Sequence, residues 1–249
     1  MLNILITGAN GQLGSSLRQL GSVSPNNYLA TDVAELVNHK AAAYLAAAAK
    51  ETGATLIHVS TDYVFDGTGH RPYTEAMATS PLGAYGRTKL AGEEAVKASG
   101  CRYLILRTAW LYSEYGNNFL KTMLRLTSER ETLRVVFDQV GTPTYAGDLA
   151  LAIFSLIETG RYAGNEGVYH FTDEGVCSWY DFAVEIAAAA GHGTCRIIPC
   201  HTSEYPTKAT RPAYSVLDKT KFKETFQMDI PHWREALIYC MKRLTENNP

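Results

Sequence analysis

The sequence is 249 residues long, 46% apolar, with a formal net charge of −2. That length holds one large domain or two small ones, and the charge gives no electrostatic reason to expect nucleic acid or an anionic membrane as partner. No stretch is long and apolar enough to span a bilayer, and residues 1–7 lack the basic region and cleavage site of a signal peptide.

Leu2–Thr7 reads as a strand. It runs through ILITGANGQLG into Gly8, Gly11 and Gly14, and then into a helix over Gly11–Leu20. In a dinucleotide fold such glycines make the tight turn, let the backbone approach a pyrophosphate and let helix and strand pack closely. The helix N-terminus then presents free N–H groups to phosphate. Gly8, Asn10, Gly11, Gln12, Leu13 and Gly14 are therefore candidate cofactor contacts. Tyr28–Thr31 is a second, short strand ending in Asp32. An acid there either accepts hydrogen bonds from an adenosine ribose, which favours NAD over NADP, or is a plain polar strand end.

Ala41–Thr52 is alanine-rich helix material. Leu56–Ser60 is a strand that leaves through Ser60, Thr61, Asp62 and Tyr63 before the turn Asp66-Gly67. Ligands of open α/β sheets bind at the carboxyl ends of strands, so this polar exit marks a candidate site. Ala84–Ser99 is an amphipathic helix carrying Tyr85 and Lys89, four apart on one face. A lysine ammonium near a phenol lowers its pKa from about 10, which would let Tyr85 pass a proton at neutral pH. The other reading of the pair is a surface contact.

Tyr103–Thr108 and Leu133–Phe137 are strands, Leu149–Glu158 a helix and Val168–Phe171 a strand. Strands alternating with helices argue for βαβ units and a parallel sheet. The expected fold is α/β, a Rossmann-like doubly wound parallel sheet. The last third changes character. A helix at Trp179–Ala190 follows the cap candidate Ser178, then come a short strand at Cys195–Ile198, a proline-punctuated stretch and a helix at Trp233–Leu244. It reads as a smaller α/β substrate lobe. The expected division is 1–170 for NAD(P) and 171–249 for substrate, with 113–130 also contributing to the lobe. The five cysteines, without a CxxC pair, read as free thiols of a reducing cytoplasm. The seven histidines are scattered, and no metal site is expected.

Taken together, STDYVFDG, AYGRTKLAGE, RTAWLYS, GNNF and VVFDQVGTPTYAGDLA closely resemble the dTDP-4-dehydrorhamnose reductase family of the extended short-chain dehydrogenase/reductases. So do CSWYDFAVEI and RPAYSVLD in the last third. The resemblance covers nearly the whole chain. It implies NADPH or NADH as cofactor and reduction of the C4 ketone of dTDP-4-dehydro-L-rhamnose to dTDP-L-rhamnose. It implies that Tyr85 protonates the ketone oxygen, that Lys89 holds the nicotinamide ribose and lowers the Tyr85 pKa, and that Thr61 orients the oxygen. Ser60 falls among the cofactor positions. Asp62, Tyr63 and Trp110 match sugar-contacting positions, and Arg211 is a candidate for the diphosphate on charge grounds.

Two other readings stay open. Dehydratases of the superfamily carry Asp-Glu after the threonine, whereas Tyr63 follows Thr61-Asp62 here. Relatives also serve as non-catalytic regulatory subunits, against which Thr61, Tyr85 and Lys89 are all retained. Some family members are metal-bridged dimers; no ligand cluster carries that over, although a homodimer remains an expectation. One departure stands out. Between Asp32 and Asn38 the family has about forty further residues, a length that fits another βα unit. They include a strand beside the first one and a loop lining the cofactor. Their loss predicts weak NAD(P) binding and little turnover.

Overall fold

A computed structural model describes residues 1–31, 39–205 and 211–246. In chain order the first half contains β1 (Asn3–Thr7), α1 (Gln12–Gly21), β2 (Asn27–Thr31), α2 (Lys40–Thr52), β3 (Thr55–Thr61), α3 (Ala84–Ser99) and β4 (Arg102–Thr108). There follow β5 (Leu111–Tyr112), α4 (Phe119–Glu129), β6 (Thr132–Val136), β7 (Val140–Gly141), β8 (Thr144–Tyr145), α5 (Ala146–Thr159) and β9 (Gly167–His170). The chain closes with β10 (Cys177–Ser178), α6 (Trp179–Ala189), β11 (Arg196–Cys200), α7 (Thr220–Phe226) and α8 (Trp233–Glu246).

The architecture is α/β with parallel pairing, as the alternation of elements predicts. β3, β4 and β9 form a parallel sheet in that order. One face packs on α5 and α7, through Leu104, Leu106, Leu149, Leu156, Phe222 and Phe226. The other meets the alanines of α2, Ala42, Ala46 and Ala49, with Val96 and Ile105. Small alanine side chains let α2 sit close to the sheet and to α3. Helices on both faces make the sheet doubly wound.

The sheet is in two parts. β1 and β2 pair in parallel, Leu5 opposite Leu29, but neither pairs with β3. Both strands before the departure after Asp32 lie in one part, and β3, β4 and β9, which follow it, lie in the other.

A second core joins residues from the middle and the end of the chain. Leu120, Met123, Leu133 and Tyr145 pack with Phe182, Ile186, Trp233 and Leu237. β6 pairs with β11, so the segment around 113–136 packs with the last third. A strap over Ala213–Asp218 stitches the halves. Tyr214 N–H donates to Gly67 O (3.1 Å), Ser215 N–H to Val140 O (2.8 Å) and Asp218 N–H to Tyr73 O (2.8 Å). Gly67 has φ +74°, and a Cβ there would lie 2.3 Å from Pro212 Cβ. The Asp66-Gly67 turn is thus also the seat of the strap. All five cysteines are buried and unpaired.

Candidate functional site

The glycine turn has the geometry its spacing predicts. Gly8 takes φ +66°, a left-handed conformation open to glycine at little cost. Gly11 N–H donates to Gly8 O (3.0 Å). A Cβ on Gly14 would lie 2.3 Å from Gly8 O and 2.7 Å from Ala9 Cα, so glycine there lets α1 rest on the turn. The N-cap residue Gly11 supplies no side-chain cap. The first N–H groups of α1 are therefore left open, a cradle that fits the pyrophosphate of a dinucleotide.

Several expected cofactor contacts have other partners here. Gln12 Oε1 accepts from Ser113 Oγ (3.1 Å) and Asn118 Nδ2 (2.9 Å), tying the turn to the segment after β4. Asn10 Oδ1 accepts from Arg18 (3.0 Å), and the Leu13 side chain packs against the core. Ser60 turns inward and donates to Glu93 (2.6 Å). Asp32 lies outside the described residues.

The strand exit and the Tyr–Lys helix do meet. Thr61 caps the short turn Asp62–Val64, its hydroxyl accepting from Tyr63 N–H (3.3 Å). The same hydroxyl donates to Asp62 Oδ1 (2.8 Å). Tyr85 lies near enough to Thr61 for that hydroxyl to act on its phenol, and its ring stands edge-on to Tyr63 at 5.6 Å. Gly86 permits this approach, because a Cβ there would lie 2.1 Å from Tyr63 O. The glycine of AYGRTK is as much part of the motif as the residues flanking it.

The electrostatics differ from the expectation. Desolvation pushes the Tyr85 pKa above the usual 10.0, with Thr61 lowering and Asp62 raising it, although 52% of the residue is exposed. Lys89 does not depress it. Its ammonium donates to Val59 O (2.6 Å) and is itself lowered from 10.5 by burial, with the Glu93 carboxylate countering. Asp62 is only 3% exposed. Burial pushes its carboxyl up to about 6, against the Thr61 hydrogen bond to Oδ1, while Oδ2 has no hydrogen-bond partner. It lies beneath Thr61 and not at the open surface where a sugar contact was expected.

A buried ion pair braces the helix behind this group. Arg107 donates to Glu93 through Nε (2.9 Å) and Nη2 (2.7 Å), and both residues are almost fully buried. The carboxylate thus joins α3, β3 and β4 within one residue of Thr61.

On the other side, Trp110 has φ +48°. This is uncommon outside glycine and costs on the order of 1 kcal/mol or more. It stacks on Trp179 at 3.6 Å and 8°, and Phe119 closes on Trp179 at 4.6 Å. Gly141 makes room, since a Cβ there would lie 2.6 Å from the Trp110 ring. Trp179 and Phe119 extend the aromatic wall beyond the residues singled out from sequence; the aromatic start of α6 after its Ser178 cap was the available signal. Arg211 is exposed, and its charge lowers the Tyr63 phenol against the larger effect of burial.

Known proteins share this sequence pattern and fold. A family model described as the RmlD substrate binding domain matches residues 30–246. A dTDP-4-dehydrorhamnose reductase from Burkholderia thailandensis is 40% identical over 98% of this chain and 99% of its own length. That alignment has 295 positions, against 249 residues here, so the relative carries more than forty residues without a counterpart. A solved dTDP-4-dehydrorhamnose reductase from Clostridium acetobutylicum superposes with TM-score 0.91 at 38% identity, covering 98% of this chain and 99% of that one. Another, from Bacillus anthracis in complex with NADP, superposes at 0.88 with 33% identity, covering 97% and 99%. The turn, the strand exit and the Tyr–Lys helix sit together on a chain that belongs to the dTDP-4-dehydrorhamnose reductase family.

Proposed function

We propose that this chain reduces the C4 ketone of dTDP-4-dehydro-L-rhamnose to dTDP-L-rhamnose, with NADPH or NADH supplying the hydride. The observation that carries this reading is the placement of Tyr85 at the exit of β3, its ring edge-on to Tyr63 two residues past Thr61. Ketone reduction builds negative charge on oxygen, and two hydroxyls directed at one point can stabilise it. Tyr85 gives the oxygen its proton. Thr61 holds the oxygen in place, and Asp62 orients the Thr61 hydroxyl from beneath. Lys89, on the next turn of α3, holds the nicotinamide ribose. Gly8, Gly11 and Gly14 shape the pyrophosphate cradle.

The sugar is placed by Tyr63 and by the wall of Trp110 and Trp179, and the diphosphate by Arg211. The division into a cofactor domain at 1–170 and a substrate lobe at 171–249 with 113–130 is supported by the second core, which joins Leu120 and Met123 to Phe182 and Trp233. The test is oxidation of NADPH or NADH on adding dTDP-4-dehydro-L-rhamnose, followed by absorbance, with dTDP-L-rhamnose identified by mass. The expected rate is below that of the longer relatives. Cofactor oxidation without the reduced sugar, or none at enzyme concentrations matching the substrate, would sink the reading.

Asp62 makes a separate expectation about pH. Its folded pKa of about 6 lies above the ordinary 3.8, so the folded chain holds this proton more tightly than the unfolded one. The associated stability is fully present below the unfolded pKa and is lost as pH rises through about 6. A shift of about two pKa units corresponds to roughly 3 kcal/mol. Asp62→Asn should therefore flatten the fall in urea-unfolding free energy between about pH 4 and 6.5. Identical pH dependences for variant and parent would show that Asp62 does not titrate in this way.

A further inference from the structure

We propose that Arg18 reads the 2′-phosphate of NADPH, so that the chain prefers the phosphorylated cofactor to NADH. This deepens the reductase reading and rests on the dinucleotide it places over the glycine turn. In such folds the adenosine ribose lies past the end of the second strand, where an acid accepts its 2′-hydroxyl or an arginine nearby takes a 2′-phosphate. Ala9 marks that spot here. Its N–H donates to the carbonyl of Thr31 (3.1 Å), the last residue of β2, so the Ala9-Asn10 tip of the turn leans on the strand end. Arg18 reaches this tip from α1. Its Nη1 donates to Asn10 Oδ1 (3.0 Å) and to Ala9 O (3.4 Å). The side of α1 from which it reaches is also fixed. Gly21, three residues on and so a neighbour on the helix surface, packs on β2, where a Cβ would lie 2.6 Å from Tyr28 Cγ. Gln12 and Gln19 point elsewhere, to Asn118 and Tyr115.

The tip offers donors. A guanidinium has no acceptor, so Asn10 turns Oδ1 toward it and its own Nδ2 away. Arg18 spends only Nη1 on the turn. Its Nε and Nη2 make no hydrogen bond among the described residues, and no carboxylate among them pairs with it. Nε and Nη2 form the planar edge that Arg107 presents to Glu93, and here that edge is left over on an exposed residue. It matches two oxygens of a phosphate at once, whereas a ribose hydroxyl gives it one neutral acceptor. Anchoring Nη1 holds the fork before the cofactor arrives, which lowers the ordering cost of binding. Asp32, which reads toward NAD from sequence, lies outside the described residues; the described geometry reads toward NADP.

The experiment titrates NADPH and NADH separately into the 249-residue chain, without sugar, and follows dihydronicotinamide fluorescence. The parent should bind NADPH at least about tenfold more tightly than NADH. Arg18→Met keeps the stem and removes the fork. It should weaken NADPH about tenfold or more and leave NADH within about twofold. Arg18→Gln retains a neutral donor for the turn and should behave like Arg18→Met. Arg18→Lys keeps the charge without the fork and should fall between. The steeper salt dependence of NADPH in the parent should shrink in Arg18→Met. Adenosine 2′,5′-bisphosphate should displace NADPH from the parent at lower concentration than 5′-AMP does. The residue is exposed, so all three variants should keep the parent's thermal midpoint. Equal affinity of the parent for NADPH and NADH would overturn the proposal. So would an equal loss of both cofactors in Arg18→Met and Arg18→Gln, for then Arg18 only braces the turn. Either result leaves the cofactor reading standing. Binding of neither cofactor at up to about 5 mM would overturn the proposal and the cofactor reading together.

Discussion

Tyr85→Phe is expected to lower turnover by roughly 10²–10⁴-fold, the usual worth of a positioned proton donor, with little change in thermal stability. The ring keeps its edge contact with Tyr63, so phenylalanine fills the same space. What is lost is the phenol hydroxyl beside Thr61. A resting phenol above the ordinary pKa of 10.0 suits this direction of reaction. It stays protonated across neutral pH and has a proton ready for the oxygen as charge builds there. In the resting geometry Lys89 is engaged by the Val59 carbonyl and does not draw that proton away. Single-turnover measurement of ketone reduction at saturating cofactor checks the prediction. A Tyr85→Phe rate within threefold of the parent would remove Tyr85 from the reaction.

Arg107→Met should be the most destabilising single replacement near the site, at roughly 3–5 kcal/mol. The loss would leave the Glu93 carboxylate buried without its bidentate partner. In the parent, burial raises the Glu93 pKa, but the Arg107 and Ser60 hydrogen bonds and the Arg107 charge outweigh it and hold the group below its usual 4.5. A depressed carboxylate contributes stability that is present above its unfolded pKa and is lost as pH falls through the folded one. The gap between parent and variant should therefore be wide at neutral pH and narrow on acidification below about 4.5. Pairing the change with Glu93→Leu removes both charges, and much of the stability should return. Urea unfolding of the parent, the single variant and the double variant decides it. A single variant as stable as the parent at neutral pH would mean that the pair contributes nothing.

The parts of this site that could be read from sequence are those whose function follows from local geometry. Gly8 and Gly14 are forced by a left-handed turn and a close helix approach, both set within a few residues. Tyr85 and Lys89 share a helix face because of their spacing. The direction a polar side chain takes is another matter. Ser60 and Gln12 are as polar as true ligand contacts, but their partners, Glu93 and Asn118, lie 33 and 106 residues away. Arg107 sits in the run YLILRT, where strand periodicity reveals nothing of a buried partner on the preceding helix. The left-handed backbone of Trp110, two residues past the strand read at Tyr103–Thr108, has no glycine to announce it, and its stack on Trp179 is non-local. The helix α4 did have a signal, the Asn118 cap followed by Leu120, Met123 and Thr127 on one face. The two-residue strands β5, β7, β8 and β10 are too short to carry any.

The strap over Ala213–Asp218 has a thermodynamic consequence for binding. Its backbone bonds run to Gly67, Val140 and Tyr73, so this segment of the last third cannot swing away from the first 170 residues without breaking bonds at three places. The segments around Gly67, Tyr73 and Val140 are therefore held together before any ligand arrives. On the proposed reading, a sugar nucleotide bound beside the strap would meet elements already held in place, and association would cost little ordering entropy beyond that of the ligand itself.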